Sequence, residues 1–110
     1  MSNANTNAAG DWTQVDPKVR RRILSHTPEM MVVEVEFAPG GYGPPHAHPH
    51  LQSTYVKSGS FDFTIEGEMR TIREGDSIIV PSNAVHSCES AGGGGLIDVF
   101  SPAREDFLTP

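Results

Sequence analysis

The chain has 110 residues, 36% of them hydrophobic, and carries a formal net charge of -6 at pH 7. That length fits a single domain, and the acidic balance argues against a nucleic-acid partner, because a phosphate backbone rewards Lys and Arg. No stretch reaches the length of a membrane span, and the first residues lack the basic and apolar regions of a secretory signal, so a soluble cytoplasmic protein is expected.

Residues 1–10 are small and polar, with nothing to offset the entropy of ordering them, and read as a flexible tail before a single domain over 11–110. Residues 12–15 can begin the fold as a short strand. Residues 19–25 are strand-like and contain the one basic cluster, Arg20, Arg21 and Arg22, which reads as a solvated strand edge. The period-2 run over 30–37 is the clearest in the chain. Met31, Val33, Val35 and Phe37 share one face, and Glu34 and Glu36 take the other.

Pro39, Gly40 and Gly41 then break the pattern, and residues 40–50 read as a Gly/Pro/His-rich connection. Strands are expected over 51–57 and 61–65, with Ser58-Gly59 as a tight turn between them. Others follow over 69–72, 77–80, 84–89 and 96–100, separated by Glu66-Gly67, Glu74-Gly75-Asp76, Pro81 and the run Gly92 to Gly95. No helical period persists over three turns. Many short strands with frequent turn signals predict an all-β sandwich or barrel. Cys88 is the only cysteine, which excludes an intramolecular disulfide and suggests a small buried hydrophobe.

The chemistry lies in the histidines. His46, His48 and His50 alternate, so an extended backbone would project them to one side; Gln52 continues that parity, and His86 comes from a separate strand. Imidazole nitrogens with an amide oxygen suit one divalent transition metal, whether Ni, Zn, Fe, Co or Mn. His46, His48, Gln52 and His86 are the candidate ligands, whereas His26 and His50 read as surface or hydrogen-bonded residues.

Two spacings support this set. Gly40-x5-His46-x-His48-x3-Gln52-x6-Gly59 resembles the first cupin motif with Gln in place of the usual Glu. Gly75-x5-Pro81-x-Asn83-x2-His86-x3-Ser90 resembles the second, with Asn83 and Ser90 where Gly and Asn are usual. The resemblance implies a cupin double-stranded β-helix, a small jelly-roll barrel. A closer resemblance, to the KdgF family, is carried by Leu24-Ser25-His26-Thr27, by His46-x-His48-Pro49-His50-Leu51-Gln52, by Tyr55-Val56-x-Ser58-Gly59-x-Phe61 and by Asp98-Val99-Phe100-Ser101-Pro102-x-Arg104-Glu105-Asp106-Phe107.

This second resemblance implies conversion of unsaturated monouronates, released by pectin or alginate lyases, into linear ketonised sugars. It also implies a small anionic sugar as ligand and a homodimer. Asp98 is the candidate general acid/base, because a carboxylate in the apolar strand Leu96-Ile97-Asp98-Val99-Phe100 is costly to bury without purpose, and the resemblance places an important Asp there. Arg104 is the candidate clamp for the substrate carboxylate, against the alternative of a surface ion pair with Glu105 or Asp106. Phe100 shares the parity of Asp98 and is a candidate pocket wall; Tyr55 and Gln14 are weaker candidates for substrate contact. A cupin dioxygenase and a non-catalytic sugar- or metal-binding module stand as competing readings.

Overall fold

Alternating apolar residues turn one face of each strand inward, and closing two such sheets on each other buries both inner faces. The computed structural model describes residues 9–108. Its elements are β1 (Thr13–Asp16), β2 (Val19–Thr27), β3 (Met30–Phe37), β4 (Gly41–His46), β5 (Leu51–Ile65), β6 (Glu68–Arg73), β7 (Ser77–Val80), β8 (His86–Ser90), β9 (Gly94–Ser101) and α1 (Glu105–Leu108). The pairing order is β1-β2-β3-β9-β5-β8-β4, with β6 and β7 also paired to β5, and every pairing is antiparallel. The expected all-β jelly roll is what forms. Of the expected tail, residues 1–8 lie outside the described residues, while the Gly10 amide already donates to the Ile23 carbonyl at 2.8 Å.

Two expectations need correction. Ser58-Gly59 is no turn: β5 runs unbroken from Leu51 to Ile65, with an irregularity between Val56 and Ser58. Its first half pairs with β9 and β7, its second with β6 and β8, so one bent strand passes between the two sheets. Gly59 permits the bend. Its φ is 84°, and a Cβ there would meet the Gly93 carbonyl oxygen.

The connection expected over 40–50 contains β4 despite Pro44 and Pro45. At the end of the sheet order, β4 needs ladder bonds on one side only, which is where proline is tolerated. After β9 a short helix, α1, follows, and its Phe107 packs against the core.

Most of the core forms two clusters. Val19, Phe37, Val56, Phe61, Phe63, Ile72 and Leu96 make one, and Met31, Val33, Phe100 and Ala103 the other, with Phe107 of α1 packed against it. The inward face expected for β3 is there, but Val35 is only partly buried. Cys88 is likewise partly buried, packing against the first cluster, and burial pushes its thiol up to about 12.

Glu34 lies on the face opposite Met31 and Val33 and is nevertheless buried. It is 3% exposed, because Arg22 on the neighbouring β2 and Lys57 on β5, beyond β9, close over it at 2.7 and 2.8 Å. Hydrogen bonding from Lys57 is the main cause holding its carboxyl below the ordinary range; desolvation opposes this and Arg22 reinforces it. A depressed carboxylate contributes stability that is present above its unfolded pKa and is lost as pH falls through its folded one. Glu34→Gln is therefore expected to cost about 1–2 kcal/mol at pH 7, discounted because Lys57 is well exposed, and to cost less on acidification. Urea unfolding of both proteins from pH 7 down into the acid range measures this; a pH-independent difference would contradict it.

Candidate metal centre and active site

The irregularity between Gly43 and His46 resets the β4–β8 register so that His46 faces His86 directly across the ladder. His48 follows in the connection into β5, where the backbone bends. The extended geometry assumed for residues 46–52 is therefore absent, and His50 drops out of the group. Among the described residues, ring nitrogens of His46, His48 and His86 all lie within 4.8 Å of one another. His48 and His86 are buried, and His46 is exposed.

Each of these imidazoles is held by its own Nδ1. That atom lies 3.0 Å from the Pro44 carbonyl in His46, 3.0 Å from the His50 carbonyl in His48 and 2.9 Å from the Ala84 carbonyl in His86. A carbonyl only accepts, so Nδ1 carries the proton and Nε2 presents its lone pair to the cluster. His86 Nε2 is buried with no hydrogen-bond partner among the described residues. Burial also lowers the pKa of His48 and brings that of His86 down to about 4, favouring neutral rings.

Gln52 on β5 is 5% exposed, and its Oε1 lies 3.0 Å from His48 Nε2. With Nδ1 protonated, two acceptor lone pairs face each other there, an arrangement a cation between or beside them relieves. The amide cannot flip away without loss, because its Nε2 donates to Thr54 Oγ1 at 2.9 Å. Thr54 in turn donates to Asp98 Oδ1 at 2.5 Å, and Gln52 Nε2 makes a longer contact to the same oxygen at 3.5 Å. The donor set and the orphaned nitrogen thus fit a divalent metal held by His46, His48, His86 and Gln52.

Asp98 on β9 is joined to this amide through Thr54, and both come from strands paired in register, Thr54 opposite Asp98. Burial pushes its carboxyl up to about 6, against the lowering effects of Thr54, Arg104 and Gln52. The hydrogen bonds it accepts among the described residues fall on Oδ1, which leaves Oδ2 for a proton. A cavity of about 320 Å³ opens beside these groups, lined by His46, Gln52, His86, Asp98, Phe100 and Arg104 with apolar residues between. A separate cleft of about 390 Å³, lined by Lys18, Arg20, Glu36 and Lys57 among others, contains none of the histidines.

A family model for the cupin domain matches residues 33–99. The chain belongs to the cupin family. It is 41% identical over 99 residues to the pectin degradation protein KdgF of Dickeya dadantii (strain 3937), covering 88% of this chain and 90% of that one. Among solved structures it resembles KdgF from Halomonas sp. with a TM-score of 0.85 at 40% identity, covering 89% and 93% of the two chains. An RmlC-like cupin from Shewanella frigidimarina NCIMB 400 superposes with a TM-score of 0.87 at 34% identity, covering 97% and 96%.

The two residue types in which this cupin departs from the second motif have local reasons. Asn83 stands at φ 65°, a left-handed conformation that Asn tolerates better than most residues. Ser90 is 2% exposed and donates to the Ser60 carbonyl at 2.6 Å. Arg104 joins what had been posed as alternatives. It pairs with Asp106 through Nε at 3.0 Å and Nη2 at 2.8 Å, yet it also lines the cavity, its guanidinium 5.1 Å from the Phe100 ring centre and 4.2 Å from that of Phe107. Tyr55 and Gln14 do not reach the cavity. Tyr55 is 47% exposed on the outer face of β5, and the Gln14 amide is spent on the Asp16 and Val19 carbonyls.

The arginine run was misread as one solvated edge. β2 lies between β1 and β3; Arg20 and Arg22 stack on Trp12 and pair with Glu36 and Glu34, while Arg21 turns inward to the cavity. Parity carried a signal for this, since Arg21 shares the face of Val19 and Ile23.

Proposed function

We propose that this cupin converts 4,5-unsaturated monouronates, the products of pectin or alginate lyases, into linear 4-deoxy-5-keto-uronates in a metal-dependent ring opening and tautomerisation. The hydrogen-bond chain from Gln52 through Thr54 to Asp98 carries the reading. It ties a carboxyl able to take up and return a proton to the amide beside a histidine cluster, in a chain 41% identical to a pectin degradation protein. The cavity volume of about 320 Å³ suits a monosaccharide and not a polymer.

A divalent ion held by His46, His48, His86 and Gln52 would supply positive charge for the substrate carboxylate and the enolate oxygen beside it. The neutral amide of Gln52, where a carboxylate is usual, leaves that charge undiminished. Asp98 takes the proton of the anomeric hydroxyl. The C1–O bond to the ring oxygen then breaks as the aldehyde forms, its electrons passing to the ring oxygen, which becomes an enolate. Asp98 returns a proton to C4, the carbonyl forms at C5, and no redox change occurs. Arg104 holds the carboxylate, kept in place by Asp106 and by the rings of Phe100 and Phe107.

The test is loss of the alkene absorbance of an unsaturated monouronate, measured against the spontaneous reaction, with protein loaded separately with Ni, Zn, Fe, Co and Mn. Acceleration well above the uncatalysed rate is the expected outcome. Saturable binding without alkene loss would favour a sugar-binding module, and oxygen uptake by the iron-loaded form would favour a dioxygenase.

A further inference from the structure

Arg21 has no part in the reaction as described, yet its position is unusual. On the inward face of β2 it stands between Val19 and Ile23, opposite Val35, whose own neighbours on that face of β3 are Val33 and Phe37. A guanidinium in such a wall is costly to desolvate, and evolution of a well-packed core alone would favour an apolar residue there. The cost is visible electrostatically: desolvation first, then repulsion from Arg104, lowers its pKa, with Asp106 opposing. Both guanidiniums line the same cavity.

The element that gathers them is α1. The Arg21 guanidinium lies 3.7 Å from the ring centre of Phe107, and that of Arg104 lies 4.2 Å from the same ring. Phe107 is fixed in turn by Phe100, with ring centres 5.8 Å apart at 90°. Asp106 forms a salt bridge with Arg104 and also acts electrostatically on Arg21. Arg21 and Arg104 both line the cavity that His46, His86 and Asp98 also line.

Resting on the uronate reading, we infer that Arg21 is a second substrate-binding residue, which with Arg104 grips the carboxylate of the sugar and makes the site selective for acidic over neutral monosaccharides. Planar guanidiniums suit this task, because each offers parallel N–H donors to a carboxylate. The like-charge strain between Arg21 and Arg104 is relieved when an anion binds between them. This favours the acid over its neutral counterpart beyond what Arg104 alone achieves. Phe107 lies against both guanidiniums, so the selectivity device spans the second strand and the C-terminal helix.

Arg21→Gln in the metal-loaded protein is the test, with Arg21→Lys beside it. KM for an unsaturated monouronate is expected to rise about 10- to 100-fold with kcat within a few-fold of wild type, as loss of a charge-assisted contact predicts. In calorimetry, wild type should bind galacturonate well above galactose, Arg21→Gln should lose most of that preference, and Arg21→Lys should fall between. A purely structural role for Arg21 would lower the melting temperature and leave the acid-to-neutral ratio unchanged. Unchanged KM and unchanged ratio in either variant overturn the inference while leaving the uronate reading intact. A wild type that binds galacturonate through Arg21 but accelerates no alkene loss overturns the reaction and not the site. Failure of wild type both to turn over and to prefer galacturonate overturns both. If Arg21→Gln does not fold, Arg21→Lys decides alone: a KM raised several-fold with a reduced ratio supports the inference, and wild-type values overturn it.

Discussion

Asp98→Asn is expected to lower the turnover of an unsaturated monouronate by about 10²–10⁴-fold, the usual contribution of a positioned general acid/base. The amide keeps the volume of the carboxyl, and its oxygen can still accept from Thr54, which now donates to Asp98 at 2.5 Å. What disappears is a group able to take the anomeric proton and return one to carbon. Metal content and melting temperature should stay near wild type, because Asp98 touches the histidine cluster only through Thr54 and the long contact to Gln52. Alkene absorbance, corrected for the spontaneous rate and accompanied by metal analysis of the same sample, gives the answer. Near-normal turnover with metal retained would remove Asp98 from the mechanism.

The second large effect concerns His86. Its Nε2 is buried with no hydrogen-bond partner among the described residues and its Nδ1 is fixed by the Ala84 carbonyl, so the ring is pre-aimed at the cluster. Metal binding to the native protein should therefore stabilise it by about 4 kcal/mol at a concentration a thousandfold above the dissociation constant. His86→Ala should abolish the metal-induced rise in melting temperature and reduce bound metal to a trace. Without metal its stability should change less than an ordinary large-to-small core change, because an orphaned polar atom leaves with the ring. Scanning calorimetry of both proteins with and without Ni or Zn separates these effects. A metal-dependent shift that survives in His86→Ala would exclude it as a ligand.

Much of the fold was legible because local patterns carry it. The alternation over β3 follows from residues that meet on one face whatever pairs beside them, and its limits agree with the structure at Met30 and Phe37. Turn chemistry placed β7 equally well, ending before Pro81. Ser58-Gly59 misled for a physical reason. The same glycine that permits a turn also permits a strand to bend past Gly93 and Gly94, and only the distant partner distinguishes the two. The C-terminal helix was missed because four residues are too few for helical periodicity to show.

By itself the sequence determined the residue types of the site. Two motif spacings picked out His46, His48, Gln52 and His86, and one carboxylate in an apolar strand picked out Asp98. Tertiary structure alone decided how they stand to one another. His46 meets His86 through a register set by two prolines on an edge strand; Gln52 is oriented by a threonine bonded to a carboxylate 44 positions further along the chain. Glu34 is covered by cations from β2 and β5, and Arg21 is brought over a ring from α1. Parity along a strand says which residues share a face. What closes that face depends on pairings between distant segments, and no local pattern records those.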